Sequence, residues 1–170
     1  YAWSPDGSQI AFQMPDAAET KEEKDKKAKN DWYFMDEVVK QNRLYVLYLN
    51  NKDSAGKYKL KKLSTGNNNI NSFDWSPDGK KIAYSFGKTP EANDNNYSDV
   101  SLIDIETDKA ISIAATGASE STPMFSPDGK LLAYYCTTDP VDWPGAKHVK
   151  IYSLSAGKLW RLKSTPDESG

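Results

Sequence analysis

The chain has 170 residues, of which 38% are hydrophobic and 27% charged, a balance that sets it apart from disordered and membrane-spanning chains and fits one folded globular unit. Its 22 basic and 24 acidic residues nearly cancel, so the overall charge gives no ground for a nucleic acid or an acidic membrane surface as partner. No run approaches the roughly 20 apolar residues of a membrane-spanning helix, and a single cysteine, Cys136, excludes an internal disulfide while leaving the redox compartment open.

In chain order, Tyr1 and Trp3 fall two apart, as residues on one side of a strand do, and Ser4-Pro5-Asp6-Gly7 follows. Proline fixes φ at the second turn position, aspartate suits the third, and glycine takes the left-handed conformation beyond it, which predicts a tight hairpin with a bulge at glycine. Ile10, Ala11 and Phe12 then form the returning strand, and three consecutive apolar residues predict a strand covered on both faces. A long insertion spans about residues 14–42. Its first part, ETKEEKDKKAK (Glu19–Lys29), has the composition of a solvated helix or a disordered loop. Its second part holds Trp32, Tyr33, Phe34 and Met35, too apolar to stand in water, and predicts packing on the blade or on another domain. LYVLYL (Leu44–Leu49) and YKLKKL (Tyr58–Leu63), joined by KDSAGK, read as third and fourth strands.

The whole pattern then recurs. FDWSPDGKKIAYS (Phe73–Ser85), VSLIDI (Val100–Ile105) and AISI (Ala110–Ile113) repeat it, and so do PMFSPDGKLLAYY (Pro123–Tyr135), VKIYSL (Val149–Leu154) and LWRL (Leu159–Leu162). The spacing from Ser4 to Ser76 exceeds that from Ser76 to Ser126 by one insertion, and the shorter one matches the roughly 40–50 residues of common propeller repeats. A four-stranded meander apolar on both faces must bury both, and stacking such sheets around an axis does so. The expected architecture is all-β: a β-propeller fragment of three four-stranded antiparallel blades in an open arc. Blade one takes residues 1–66, blade two 67–117 and blade three 118–163, with 164–170 starting a further blade or linker. Closed propellers use about four to eight blades, so the arc leaves its end blades with exposed apolar faces, a liability or a contact surface.

Length varies only in the connection from second to third strand, which in a meander lies opposite the Ser-Pro-Asp-Gly turns. That end of the arc is the expected binding face, because rigid sheets commonly carry function on such loops. Its candidates are Asp36 and Glu37 in the first loop, and Asp139, Asp142 and Trp143 in TTDPVDWPGAKH (Thr137–His148), where Trp143 stands between two prolines. Carboxylates there suit an ammonium group. The recurring Asp6, Asp78 and Asp128 are assigned to the turns. His148, the sole histidine, has no partner at metal-ligand spacing, so no metal is expected. There is no G-x-S-x-G, the nearest string being GASES (Gly117–Ser121), and no Gly-rich phosphate loop or EF-hand pattern, so no catalytic set and no cofactor are expected.

The phrase W-S-P-D-G-K-x-I-A-Y, as at Trp75–Tyr84, resembles the repeat of TolB-like propellers and of propellers in the prolyl oligopeptidase family of serine peptidases. Two segments, DEVVKQNRLYVLYL (Asp36–Leu49) and the run from Phe125 to Ser164, are similar to the acylaminoacyl-peptidase and dipeptidyl-peptidase-like branch. The resemblance implies a C-terminal α/β-hydrolase domain of the same polypeptide bearing a Ser-Asp-His triad, with this propeller as a substrate-gating lid and short peptides as substrate. In the dipeptidyl-peptidase branch acidic propeller residues hold the substrate's amino terminus, but no segment here matches such a motif residue by residue. The alternative is a TolB-like module working through protein contacts in the cell envelope. Either resemblance implies an exported or periplasmic location by analogy alone.

Overall fold

The computed structural model describes residues 1–16, 28–29, 40–63, 67–91, 94–137 and 147–162. Blade one comprises β1 (Ala2–Trp3), β2 (Gln9–Pro15), β3 (Asn42–Lys52) and β4 (Tyr58–Lys62). Blade two comprises β5 (Asn69–Trp75), β6 (Lys81–Gly87), β7 (Asp99–Asp104) and β8 (Ala110–Ala114). Blade three comprises β9 (Glu120–Phe125), β10 (Leu131–Cys136), β11 (His148–Ser153) and β12 (Leu159–Arg161). In each, spatial order follows chain order and every pair is antiparallel. The all-β arc of three four-stranded blades expected from the repeats is the observed fold. Among the described residues the only helical piece is a 3-10 turn, Asp94–Asn96.

The Ser-Pro-Asp-Gly turns close through one repeated set of bonds. The glycine amide donates to the serine carbonyl at 2.9 Å (Gly7 to Ser4), 2.8 Å (Gly79 to Ser76) and 2.8 Å (Gly129 to Ser126). The three glycines have φ of 70°, 68° and 69°, a region costly for any residue with a Cβ. Serine has a part that the turn chemistry of Pro, Asp and Gly does not reveal. Its hydroxyl donates to the aspartate two residues on, at 2.7 Å in Ser4, 2.6 Å in Ser76 and 2.6 Å in Ser126. The same oxygen accepts the backbone amide five residues on, from Gln9, Lys81 and Leu131, and so ties the two strands together below the bend.

Strand alternation sends neighbouring side chains into different seams. Ile82 and Tyr84 join Ile103 and Ile105 of their own sheet in a core that also holds Ala11, Leu44 and Val46 of blade one. Ala83, between them, faces the other way with Val100 and Leu102, into a core completed by Phe125, Leu132 and Tyr134 of blade three. The register confirms the alignment of the repeats, since Leu47, Ile103 and Tyr152 oppose Ile10, Ile82 and Leu132. First strands gather the arc: β5 lies against β1, and β9 against β5. Fourth strands are its rim, with Tyr58, Leu60, Ile111, Leu159 and Trp160 exposed.

Candidate functional site

The loop end of the arc is where buried polar groups collect. Between blades one and two, Arg43 reaches Asp16 at 2.7 Å and donates to the carbonyl of Asn68 at 3.0 Å, while Lys62 meets the other oxygen of Asp16 at 2.9 Å. Burial opposes ionisation of Asp16, but the hydrogen bonds and charges of Lys62 and Arg43 outweigh it and hold the carboxyl below its ordinary range. Asn69 accepts the amide of Asn42 at 2.8 Å, and Gln41 donates to the Lys88 carbonyl at 3.1 Å. These bonds pin the base of the first long connection to blade two.

Between blades two and three the arrangement differs. Glu120 is 0% exposed at the start of β9, opposite Cys136. Its Oε1 accepts the hydroxyl of Thr116 and faces Sγ of Cys136 at 3.9 Å. Among the described residues neither its Oε2 nor Oη of Tyr134, which is 2% exposed, has a hydrogen-bond partner. Burial raises the Glu120 carboxyl above its usual range, the Thr116 hydroxyl opposes this, and the negative charge of Asp99 adds to it. Asp99, at the start of β7, is itself raised by burial. Tyr134 is likewise pushed up, first by burial and then by Glu120 and Cys136. Around them Ser98, on the connection entering β7, bonds to Ser119 at 2.9 Å and to the Glu120 carbonyl at 2.8 Å.

Beside this carboxyl the backbone of β9 is irregular. Register slips between Ala133 and Tyr135, so Tyr134 has no partner residue in β9, and Thr122 sits at φ 51°. A β-branched residue in the left-handed region is strained by about 1–2 kcal/mol, and bulges of this kind are over-represented beside functional sites. Oε2 of Glu120 and Oη of Tyr134 thus leave polar atoms in the seam that a small polar group or an ordered water can meet.

The loop candidates Asp36, Glu37, Asp139, Asp142 and Trp143 lie outside the described residues, as do the charged run Glu19–Lys27 and the aromatic run Trp32–Met35. Asp6, Asp78 and Asp128 sit in their turns. Serine hydroxyls and backbone amides lower all three carboxyls, Asp6 to about 2. His148 opens β11, where the Arg161 guanidinium donates to its Nδ1 at 2.7 Å. In GASES, Ser119 is 9% exposed and bonded to Ser98, a packing position. Among the described residues no group of three or more His, Cys, Asp or Glu is placed to hold a metal ion. Glu120 was not among the sequence candidates, yet a signal existed: it occupies the repeat position of Ile70, which is 1% exposed in blade two and opposes Phe86 as Glu120 opposes Cys136.

No family model matches the chain, and no curated protein matches it in sequence. Solved structures do match in fold. TolB from Acinetobacter baumannii superposes with a TM-score of 0.57 at 20% identity, over 96% of this chain and 31% of its own. The β-propeller domain of the Trilobed protease from Pyrococcus furiosus, described as having an open velcro topology, gives 0.58 at 16% identity, over 94% of this chain and 40% of its own. A puromycin-hydrolyzing peptidase from Mycobacterium tuberculosis gives 0.61 at 17% identity, over 97% of this chain and 23% of its own. The chain therefore has the fold of a β-propeller arc and spans less than half the length of these proteins. Propellers of peptidases and of TolB proteins are both similar to it.

Proposed function

We propose that the chain is the non-catalytic propeller of a serine peptidase of the prolyl oligopeptidase family, in the acylaminoacyl-peptidase and dipeptidyl-peptidase-like branch, gating the entry of short peptides to a C-terminal α/β-hydrolase domain. One observation carries this reading. The second-to-third-strand connections, Pro15 to Asn42, Gly87 to Asp99 and Cys136 to His148, leave rigid sheets at one end and carry most of the length variation; contrary to the sequence expectation they do not carry all of it, because the third-to-fourth-strand hairpin of blade one, where Leu47 pairs with Leu60, is longer than those where Ile103 pairs with Ala110 and Tyr152 with Leu159. A stiff arc with an uneven crown suits a filter, since the sheets hold the aperture while the loops meet what enters. In this reading Asp36, Glu37, Asp139 and Asp142 pair with a peptide's terminal ammonium, and Trp143 packs against its first side chain. The competing reading, a TolB-like interaction module in the cell envelope, draws on the similarity to TolB.

One experiment separates the two. The full polypeptide containing these residues is treated with a fluorophosphonate probe and assayed on chromogenic dipeptides and on a folded protein. The lid reading expects covalent labelling of one serine outside residues 1–170 and turnover of the small substrates alone. Removing residues 17–39 then admits larger substrates. Absence of both labelling and any G-x-S-x-G in the reading frame overturns it in favour of the interaction module.

A further inference from the structure

The two seams inside the arc are built from corresponding residues, and at one place they differ in a concerted way. In the seam between blades one and two, Ile70, Tyr84 and Phe86 share one face of blade two, because Ile70 opposes Phe86 and Tyr84 lies two residues before it. Ile70 is 1% exposed, and the rings of Tyr84 and Phe86 lie 5.6 Å apart. Ser101, opposite Tyr84 on the neighbouring strand, meets its hydroxyl and opposes the rise that burial gives it. An aliphatic chain and a ring close this seam, and the tyrosine hydroxyl beside them has a partner.

In the seam between blades two and three the counterparts are Glu120, Tyr134 and Cys136. A carboxyl replaces the aliphatic chain of Ile70. The small thiol of Cys136 replaces the Phe86 ring and so withdraws a large group from beside the tyrosine. Opposite Tyr134 stands Lys150 in place of Ser101, and an ammonium cannot accept the phenolic proton. The preceding blade does not make up the lost volume. It offers Ala83, Val100 and Leu102 where the first seam has Ala11, Leu44 and Val46, one side chain smaller and one larger. The outcome is two polar atoms, Oε2 of Glu120 and Oη of Tyr134, on residues 0% and 2% exposed, neither with a hydrogen-bond partner among the described residues. They are near enough for the charge of Glu120 to act on Tyr134.

We propose that the seam between blades two and three is a binding site for an ordered internal water, which bridges Oε2 of Glu120 and Oη of Tyr134 in the room that Cys136 leaves. Buried polar atoms are costly when unpaired, and internal waters commonly meet them through about two to four hydrogen bonds. A hard metal ion fits the place less well, since it takes about six or more oxygen ligands and the positive charge of Lys150 already acts on Glu120. The seam between blades one and two is dry at the same position, because Ile70 and Phe86 fill it. The site lies inside the arc and is independent of the peptidase reading.

A high-resolution crystal structure of the polypeptide containing these residues tests it. The expected result is a single water peak at hydrogen-bond distance, about 2.5–3.2 Å, from both oxygens. A dry seam, a direct bond between Glu120 and Tyr134, or a peak with the ligand number of a metal ion would each overturn the proposal. Magnetic relaxation dispersion of water gives a second readout in solution, because it counts long-lived internal molecules. The double variant Glu120→Ile with Cys136→Phe copies the residues of blade two into blade three, and it should hold one such water fewer than the wild type. An equal count in a folded double variant contradicts the site, and where that variant fails to fold the wild-type crystal structure decides alone.

Discussion

Replacing Ile82 by alanine tests whether the seams between blades hold the molecule together. Ile82 is 0% exposed in β6 and belongs to the core between blades one and two. The substitution removes three carbons, roughly 2–3 kcal/mol of transfer free energy. The rigid sheets on either side cannot collapse into the gap, so a cavity term adds to this, for about 3–4 kcal/mol in total. The control is Ile111→Ala in β8 of the same sheet, 56% exposed at the rim, where no closed cavity forms and a loss of about 1 kcal/mol or less is expected. Urea denaturation followed by circular dichroism at neutral pH gives both numbers from the midpoints, provided the slope stays constant. Equal losses for the two variants would refute the reasoning, because stability would then follow residue type rather than position between blades.

Glu120→Gln should stabilise the chain at neutral pH. A carboxyl raised in the folded state contributes stability that is complete below its unfolded value and is lost as pH rises through the folded one. Thermal melts of the two proteins should therefore converge in acid and separate above the ordinary glutamate range, and a wild type that is the more stable at pH 8 contradicts the assignment. Ser4→Ala should raise the Asp6 carboxyl from about 2 toward 3.8, since the Ser4 hydroxyl is the largest cause of its lowering. Carboxyl carbon shifts read this directly, and in the wild type the stability contributed by Asp6 is present above the ordinary aspartate range and lost as pH falls through about 2. Thr122→Gly should stabilise by about 1 kcal/mol by relieving the left-handed backbone at φ 51°, seen as a higher urea midpoint; a lower midpoint would mean that the threonine side chain contributes more than its strain costs.

The repeats made much of the fold legible. Three copies of Ser-Pro-Asp-Gly flanked by alternating apolar residues specify hairpin geometry and register, and the triplet Ile82-Ala83-Tyr84 already announced a strand buried on both sides. The candidate site was less legible. Glu120 lies in a strand whose apolar pattern, read within blade three alone, gives it no special standing; only comparison with Ile70 shows a carboxyl where a buried aliphatic belongs. Arg43 reads as a surface cation from sequence, yet it is 6% exposed, with Asp16 and the Asn68 carbonyl reaching it from just beyond the ends of β2 and β5. The loop carboxylates have no repeated counterpart, so nothing in the periodicity places them.

By itself the sequence determined what acts over a few residues: where each bend falls, which side of each strand is apolar, and that the unit occurs three times. Such features depend on φ preferences and on side-chain alternation, which are properties of short segments. Tertiary structure decided which apolar face meets another and which meets solvent, for Ile82 is sealed and Trp3 is open although both belong to the same repeated face. Burial is a property of neighbours brought from far along the chain, and it is burial that raises the Glu120 carboxyl above the range of an ordinary acid.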